Sequence, residues 1–186
     1  MAKPGFIQVG IVVGLILLGG LSFAVAAKKP SRPGYENEYF KIRIITRSPN
    51  QIAAFYTGRG FPQKALDELR KVCFITIGMG NKSKEKVWLD LKDWSLETKD
   101  GDIKRILRPD WRKRWQEIGL EKRFQSTFRW TLMPEKLDFY PHEGEGGNVT
   151  IPYTNKPITL KAKIAVGEDK SRVFNVEIEN IHCAKD

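Results

Sequence analysis

The chain has 186 residues, 32 Lys and Arg against 22 Asp and Glu, and a formal charge of +10. Its 41% hydrophobic share supports one domain with a real core plus an appendage, and the basic excess favours acidic partners: nucleic acid, anionic lipid, an acidic polymer or an acidic protein surface. Two cysteines and two histidines are too few for a zinc finger or an iron–sulfur cluster, each of which needs more soft ligands at set spacings.

The N-terminal segment Phe6 to Ala27, FIQVGIVVGLILLGGLSFAVAA, carries no charge, and Gln8 and Ser22 are its only clearly polar side chains. As a helix it would rise roughly 33 Å, enough to cross the hydrocarbon core of a bilayer. Residues 1–27 therefore read as a single transmembrane anchor. The small residues Ala24 to Ala27 offer the alternative of a cleaved signal peptide, but the apolar run exceeds the length of such a peptide's core. Lys28, Lys29 and Arg32 come directly after the run, and the positive-inside rule would put the body in the cytoplasm. Short N-terminal anchors of this shape usually export the domain attached to them, so the expected location is the inner membrane, single-pass, with a periplasmic body. Residues 28–37, KKPSRPGYEN, read as a short Pro-rich tether.

Residues 38–186 then form the body. Phe40, Ile42 and Ile44 alternate with Lys41 and Arg43, the period of a half-buried strand. Two helices come next: SPNQIAAFYTG, with Ser48 as N-cap before Pro49, and FPQKALDELRKV, opened by Pro62 and striped with Ala65, Leu66 and Leu69. Strand periodicity returns at Cys73, Ile75, Ile77 and Met79, and again at Val87, Leu89 and Leu91. Turn signals stand at GNKSKEK (80–86), Asp100-Gly101, EGEGGN (143–148), TNKP (154–157) and GEDKSR (167–172). The Gly-rich EGEGGN reads as a hairpin loop. It is no phosphate cradle, since a P-loop needs a following Lys and Glu143 and Glu145 would repel phosphate. The last two strands alternate at Ile158 to Ile164 and Phe174 to Ile178. Seven or eight short strands at this spacing predict a mainly β protein, an immunoglobulin-like β-sandwich with short helical insertions, preceded by one N-terminal transmembrane helix.

The stretch RPDWRKRWQEIGLEKRFQSTFRW, residues 108–130, interleaves seven Lys and Arg with Trp111, Trp115, Phe124, Phe128 and Trp130. That mixture is what single-strand nucleic-acid binders use. Helical spacing tells against it here: with Asp110 as N-cap, Trp111, Trp115 and Ile118 recur at i, i+4 and i+7, so both tryptophans face the core. An exported body also lies away from nucleic acid, and no nucleic-acid partner is expected. The remaining basic side chains, Arg105, Arg108, Arg112, Arg114, Lys122 and Arg123, form a candidate surface for an anionic partner.

At FYTGRGFPQKALDELRKVCFITIGMGNKS and EGEGGNVTIPYTNKPITLKAKI the chain resembles a group of membrane-anchored proteobacterial envelope proteins of unassigned function. The resemblance implies an exported or membrane-tethered domain and carries over no catalytic residues.

Sites for chemistry are scarce. The chain has no G-x-S-x-G, H-E-x-x-H or EF-hand spacing, and no enzyme activity or cofactor is expected. Cys73, His142, His182 and Cys183, with Met79 or Met133, would suit copper. But His182 and Cys183 are adjacent and point opposite ways on a strand, and the repeated Met/His motifs of copper carriers are missing. Cys73 and Cys183 either pair as a disulfide, in an oxidising compartment, or stay free thiols in the cytoplasm. Pairing requires a bend or bulge, because Cys183 is out of phase with Phe174, Val176 and Ile178. Asn81-Lys82-Ser83 and Asn148-Val149-Thr150 match the glycosylation sequon. The reading that results is a membrane-tethered, non-catalytic module docking on a protein partner in a membrane complex or on an envelope component. The alternative is a receptor for an anionic ligand or lipid surface.

Overall fold

Apolar–polar alternation becomes sheet where turn chemistry brackets it, and the computed structural model, which describes Met1 and residues 32–186, has ten strands among the described residues. The expected transmembrane helix falls on residues outside the described ones. No helix among the described residues is long and apolar enough to cross a membrane.

The first sheet is antiparallel, with strand order β1 (Gly34–Glu36), β2 (Phe40–Arg47), β3 (Val72–Asn81) and β8 (Gly144–Pro152). In the second sheet β9 (Ile158–Val166) pairs along its whole length with β10 (Arg172–Ile181). Its other edge is shared in tandem by β4 (Val87–Asp90) and β5 (Ser95–Thr98), which a 3-10 turn at Leu91–Asp93 separates. Asp90 caps that turn by accepting from the Lys92 N–H at 3.1 Å. The short β7 (Lys136–Phe139) and β6 (Gly101–Asp102) extend the sheet beyond β4 and β5. The two antiparallel sheets pack face to face through the inward residues of both, among them Phe40, Ile42, Ile75, Ile77, Leu89, Leu160, Ile164 and Ile178.

A second core lies on the outer face of the first sheet. Helices α1 (Pro49–Thr57) and α2 (Gln63–Arg70) sit between β2 and β3 in the chain, and α3 (Arg108–Glu117) and α4 (Lys122–Thr131) between β6 and β7. Their apolar sides meet the outward residues Val72 and Phe74 of β3. β3 is thus buried on both faces at this end. Ser48 caps α1 with a full capping box: its Oγ accepts from the Gln51 N–H at 3.3 Å while Gln51 Oε1 accepts from the Ser48 N–H at 3.2 Å. Trp111 and Trp115 stack at 4.9 Å between centroids, Phe128 closes on both, and both tryptophans are buried. The Trp111 indole N–H donates to Thr150 Oγ1 on β8 at 2.8 Å, locking the helical layer to the sheet.

Several expectations need correction. Asp110 is not the N-cap of α3. Leu107 is, and Asp110 reaches back from the third helical position to accept from the Leu107 N–H at 2.8 Å. The stretch 108–130 holds two helices, because Gly119, at φ +59, ends α3 with the Leu120 and Gly119 N–H groups bonded back to Trp115 and Gln116. Gly34–Glu36, expected in the tether, form an edge strand. EGEGGN is no hairpin loop: Gly144 to Asn148 belong to β8 and pair in register with Gly80 to Thr76. The physical reason is close approach. A Cβ on Gly147 would lie 2.5 Å from the Met133 backbone, and one on Gly144 or Gly146 would press on carbonyls of β3.

Candidate functional site

The helical layer presents the most chemically distinctive surface. On α3, Arg112 and Lys113 are exposed, while Arg114 is half-buried with its guanidinium 5.0 Å from the Trp111 ring centroid. On α4, Lys122, Arg123 and Arg129 are exposed. Arg123 pairs with Glu121 at 3.0 Å and lies over the Phe124 ring. Beside Arg129, Trp130 leaves 82% of its surface in solvent although the other four aromatics of the stretch 108–130 are buried. The i, i+4 spacing explains the split: Phe124 and Phe128 fill the face that meets α1 and α3, and Trp130 falls on the opposite side.

Two of the six candidate cations leave this surface. Arg105 is 17% exposed, forked onto Glu135 at 3.2–3.3 Å and donating to the Leu91 carbonyl at 3.1 Å. It ties the segment after β6 to the loop before β7 and belongs to the scaffold. Arg108 is half-buried at the start of α3, where it lines a small cavity together with Leu132, Asn148 and Thr150, and its Nε is buried. The remaining candidates, Arg112, Arg114, Lys122 and Arg123, stay on α3 and α4.

Cys73 and Cys183 are joined as a disulfide with Cα atoms 5.5 Å apart. The phase conflict is resolved by a register shift between Ile178 and Ile181, with Asn180 at φ +58, which turns Ile181 and Cys183 inward. His142 and His182 are both exposed. Among the described residues no three His, Cys, Asp or Glu side chains come together in a way that could hold a metal ion. Asn81 is buried and its amide is fully used: Nδ2 donates to the Glu85, Phe139 and Tyr140 carbonyls, and Oδ1 accepts from the Ser83 N–H and Oγ. This sequon asparagine holds the 81–85 turn and has no free amide to offer a glycan.

Sequence reasoning missed the other half of the first sheet's outer face. The helical layer covers the end at Phe74 and Thr150 and stops short of Gly78, while Gly80 is buried under the Lys41 side chain, whose Cε would lie 3.1 Å from a Cβ built there. In the uncovered part the outward positions line up in two cross-strand rows, Gly34–Arg43–Gly78–Gly146 and Glu36–Lys41–Gly80–Gly144. The result is a shallow trough whose open floor is the backbone at Gly78, Gly144 and Gly146, bordered by Arg43 and by Lys41, which lies over Gly80. A second hollow on the far side of those two cations reaches Arg32, Pro33 and Gly34. The signal was present in the sequence as G-x-G twice, at 78–80 and 144–146, on strands paired side by side in one sheet.

No family model and no curated protein matches the chain. Two solved structures resemble it: the ycdA protein of Bacillus subtilis, described as a candidate lipoprotein, at 11% identity and TM-score 0.44 over 81% of this chain, and the yjhA protein of Bacillus subtilis at 9% identity and TM-score 0.37 over 69%. The chain spans 39% of the length of the first and 76% of the second. Likeness at this level assigns neither a family nor an activity.

Proposed function

We propose that the protein is a membrane-tethered, non-catalytic interaction module whose extracytoplasmic body docks onto an acidic surface of a membrane complex. The immunoglobulin-like topology and the inner-membrane location expected from the sequence are part of this reading. The uncharged run Phe6 to Ala27 supports the tether. The Cys73–Cys183 pair supports an oxidising compartment for the body.

The observation that carries the docking role is Trp130. A tryptophan 82% exposed beside Arg129, on a helix that also presents Lys122 and Arg123, has the composition of a binding hot spot rather than of an ordinary solvated face. The test is cross-linking in native membranes, then gentle detergent extraction. A partner held by the wild-type chain should be lost from Trp130→Ala and weakened in high salt. A wild-type chain that migrates alone, or a Trp130→Ala chain that keeps its partner, would end the proposal.

A further inference from the structure

The glycine-floored trough raises a question of cost. Gly78 sits in the interior of β3, paired on both sides, and its φ is not positive. A Cβ built on it would have nothing within 4 Å. Neither backbone conformation nor packing therefore demands glycine, which weakens a strand interior relative to almost any other residue. Gly147 is different, since its neighbour Met133 excludes a side chain. What glycine at 78 does achieve is a flat floor that continues through Gly146 on the neighbouring strand. Gly in a strand with no internal reason to be there marks close approach from outside.

The walls give the sign of what approaches. Lys41 and Arg43 make no ion pair among the described residues. The nearby carboxylates are otherwise engaged: Glu36 pairs with Lys82 at 2.5 Å, and Glu145 folds back to accept from the Gly146 N–H at 3.1 Å. Guanidinium and ammonium groups beside an open backbone floor suit a phosphate-bearing group that can lie flat.

Connectivity selects the source. Gly34 is the register partner of Arg43, and six residues separate it from Ala27, the last residue of the apolar run. Seven Cα–Cα steps reach at most about 25 Å. Resting on the proposed membrane tether, we infer that the trough is a seat for anionic phospholipid headgroups of the membrane that holds the chain. It is separate from the protein-docking face on α3 and α4, and it holds the body against the bilayer rather than letting it swing on its tether.

Amine footprinting reads the site directly. The full-length protein is reconstituted in nanodiscs of phosphatidylcholine alone or with phosphatidylglycerol, labelled with an acylating reagent, and digested for mass spectrometry. Failure to enter phosphatidylcholine discs would sink the tether reading itself. Given insertion, Lys41 labelling should slow about five- to thirty-fold in phosphatidylglycerol discs, the preference expected of one to two surface cations. Lys113 and Lys163 should label alike in both. Gly78→Val should abolish that protection without lowering the melting temperature, and Arg43→Gln should weaken it about five-fold. Equal Lys41 labelling in the two discs, or full protection in Gly78→Val, overturns the inference while leaving the tether intact. So does equal protection by glycerol phosphate in phosphatidylcholine discs, which would make the site one for free phosphate. Protection that rises with protein concentration in phosphatidylcholine discs would mean a second copy fills the trough, and overturns it too.

Discussion

Replacing Gly147 by alanine isolates a single contact. Gly147 has no positive φ, so alanine can adopt its backbone conformation, but the new methyl would sit 2.5 Å from both Cα and N of Met133 and 3.0 Å from the Leu132 carbonyl carbon. Ordinary contact begins near 3.4 Å, so the segment 132–133 must move by nearly an ångström. That segment is bonded to β8 by the Met133 N–H donating to the Asn148 carbonyl at 3.0 Å, and Met133 is buried in the sandwich core. Overpacking of this kind costs about 1–3 kcal/mol, and losing the hydrogen bond about 1 kcal/mol more. Alanine recovers about 0.4–1 kcal/mol by restricting the unfolded chain. The net expectation is a loss of about 1–3.5 kcal/mol, a fall in melting temperature of roughly 2–14 °C for a domain of this size. Urea unfolding of the full-length chain in detergent micelles, monitored by tryptophan fluorescence, measures it. Gly78→Ala, where a methyl meets nothing within 4 Å, is the control and should be neutral or stabilising. A Gly147→Ala protein within about 0.5 kcal/mol of wild type would refute the close-approach account of β8.

Cys73→Ser paired with Cys183→Ser should destabilise the body by about 4–5 kcal/mol on chain-entropy grounds, because the bridge closes 110 residues; equal urea midpoints with and without the bridge would contradict it. Thr150→Val leaves the buried Trp111 N–H without its acceptor and should cost about 1–3 kcal/mol, measured by the same unfolding curves, whereas Thr150→Ser should retain most of the stability. Burial pushes the Tyr56 hydroxyl up to about 12 from an ordinary 10, despite its 2.7 Å hydrogen bond with Thr131 Oγ1. The folded state holds this proton more tightly than the unfolded one. Stability is therefore complete below pH 10 and falls as pH rises through the window from 10 to 12, by up to roughly 2–3 kcal/mol. Tyr56→Phe should flatten the alkaline limb of the stability–pH curve, and an unchanged slope would show that other groups control it.

The strands with clean alternation were legible in the sequence because one face of each meets a core and the other meets water. β2, β9 and β10 show this best. The helices α1 and α2 were legible from Ser48, Pro49 and Pro62, whose chemistry acts within one turn. EGEGGN resists the same reasoning because glycine answers two different demands, freedom of φ in a turn and lack of a Cβ in a crowded strand, and only the placement of Met133 and β3 distinguishes them. Alternation alone puts Phe74 on the outward face of its strand. It is outward from the sandwich, and buried because the helical layer covers it. The candidate basic surface divides for a similar reason. Arg105 finds Glu135, 30 residues away, while Arg112 and Lys122 find no such partner among the described residues.

By itself the sequence determined the elements, the apolar faces and the presence of a long uncharged run, all of which depend on residues within a few turns or strand steps of one another. Tertiary structure alone decided that the outward face of β3 is covered as well, which cations stay free and that Cys183 meets Cys73. Those outcomes depend on pairing across long separations: the bulge near Asn180 that rotates the tail, the crossing of Met133 over Gly147, and the register that sets Gly78 beside Gly146. A local pattern cannot encode a partner brought in by the rest of the fold, and the trough between Arg43 and Gly146 exists only once four strands are laid side by side.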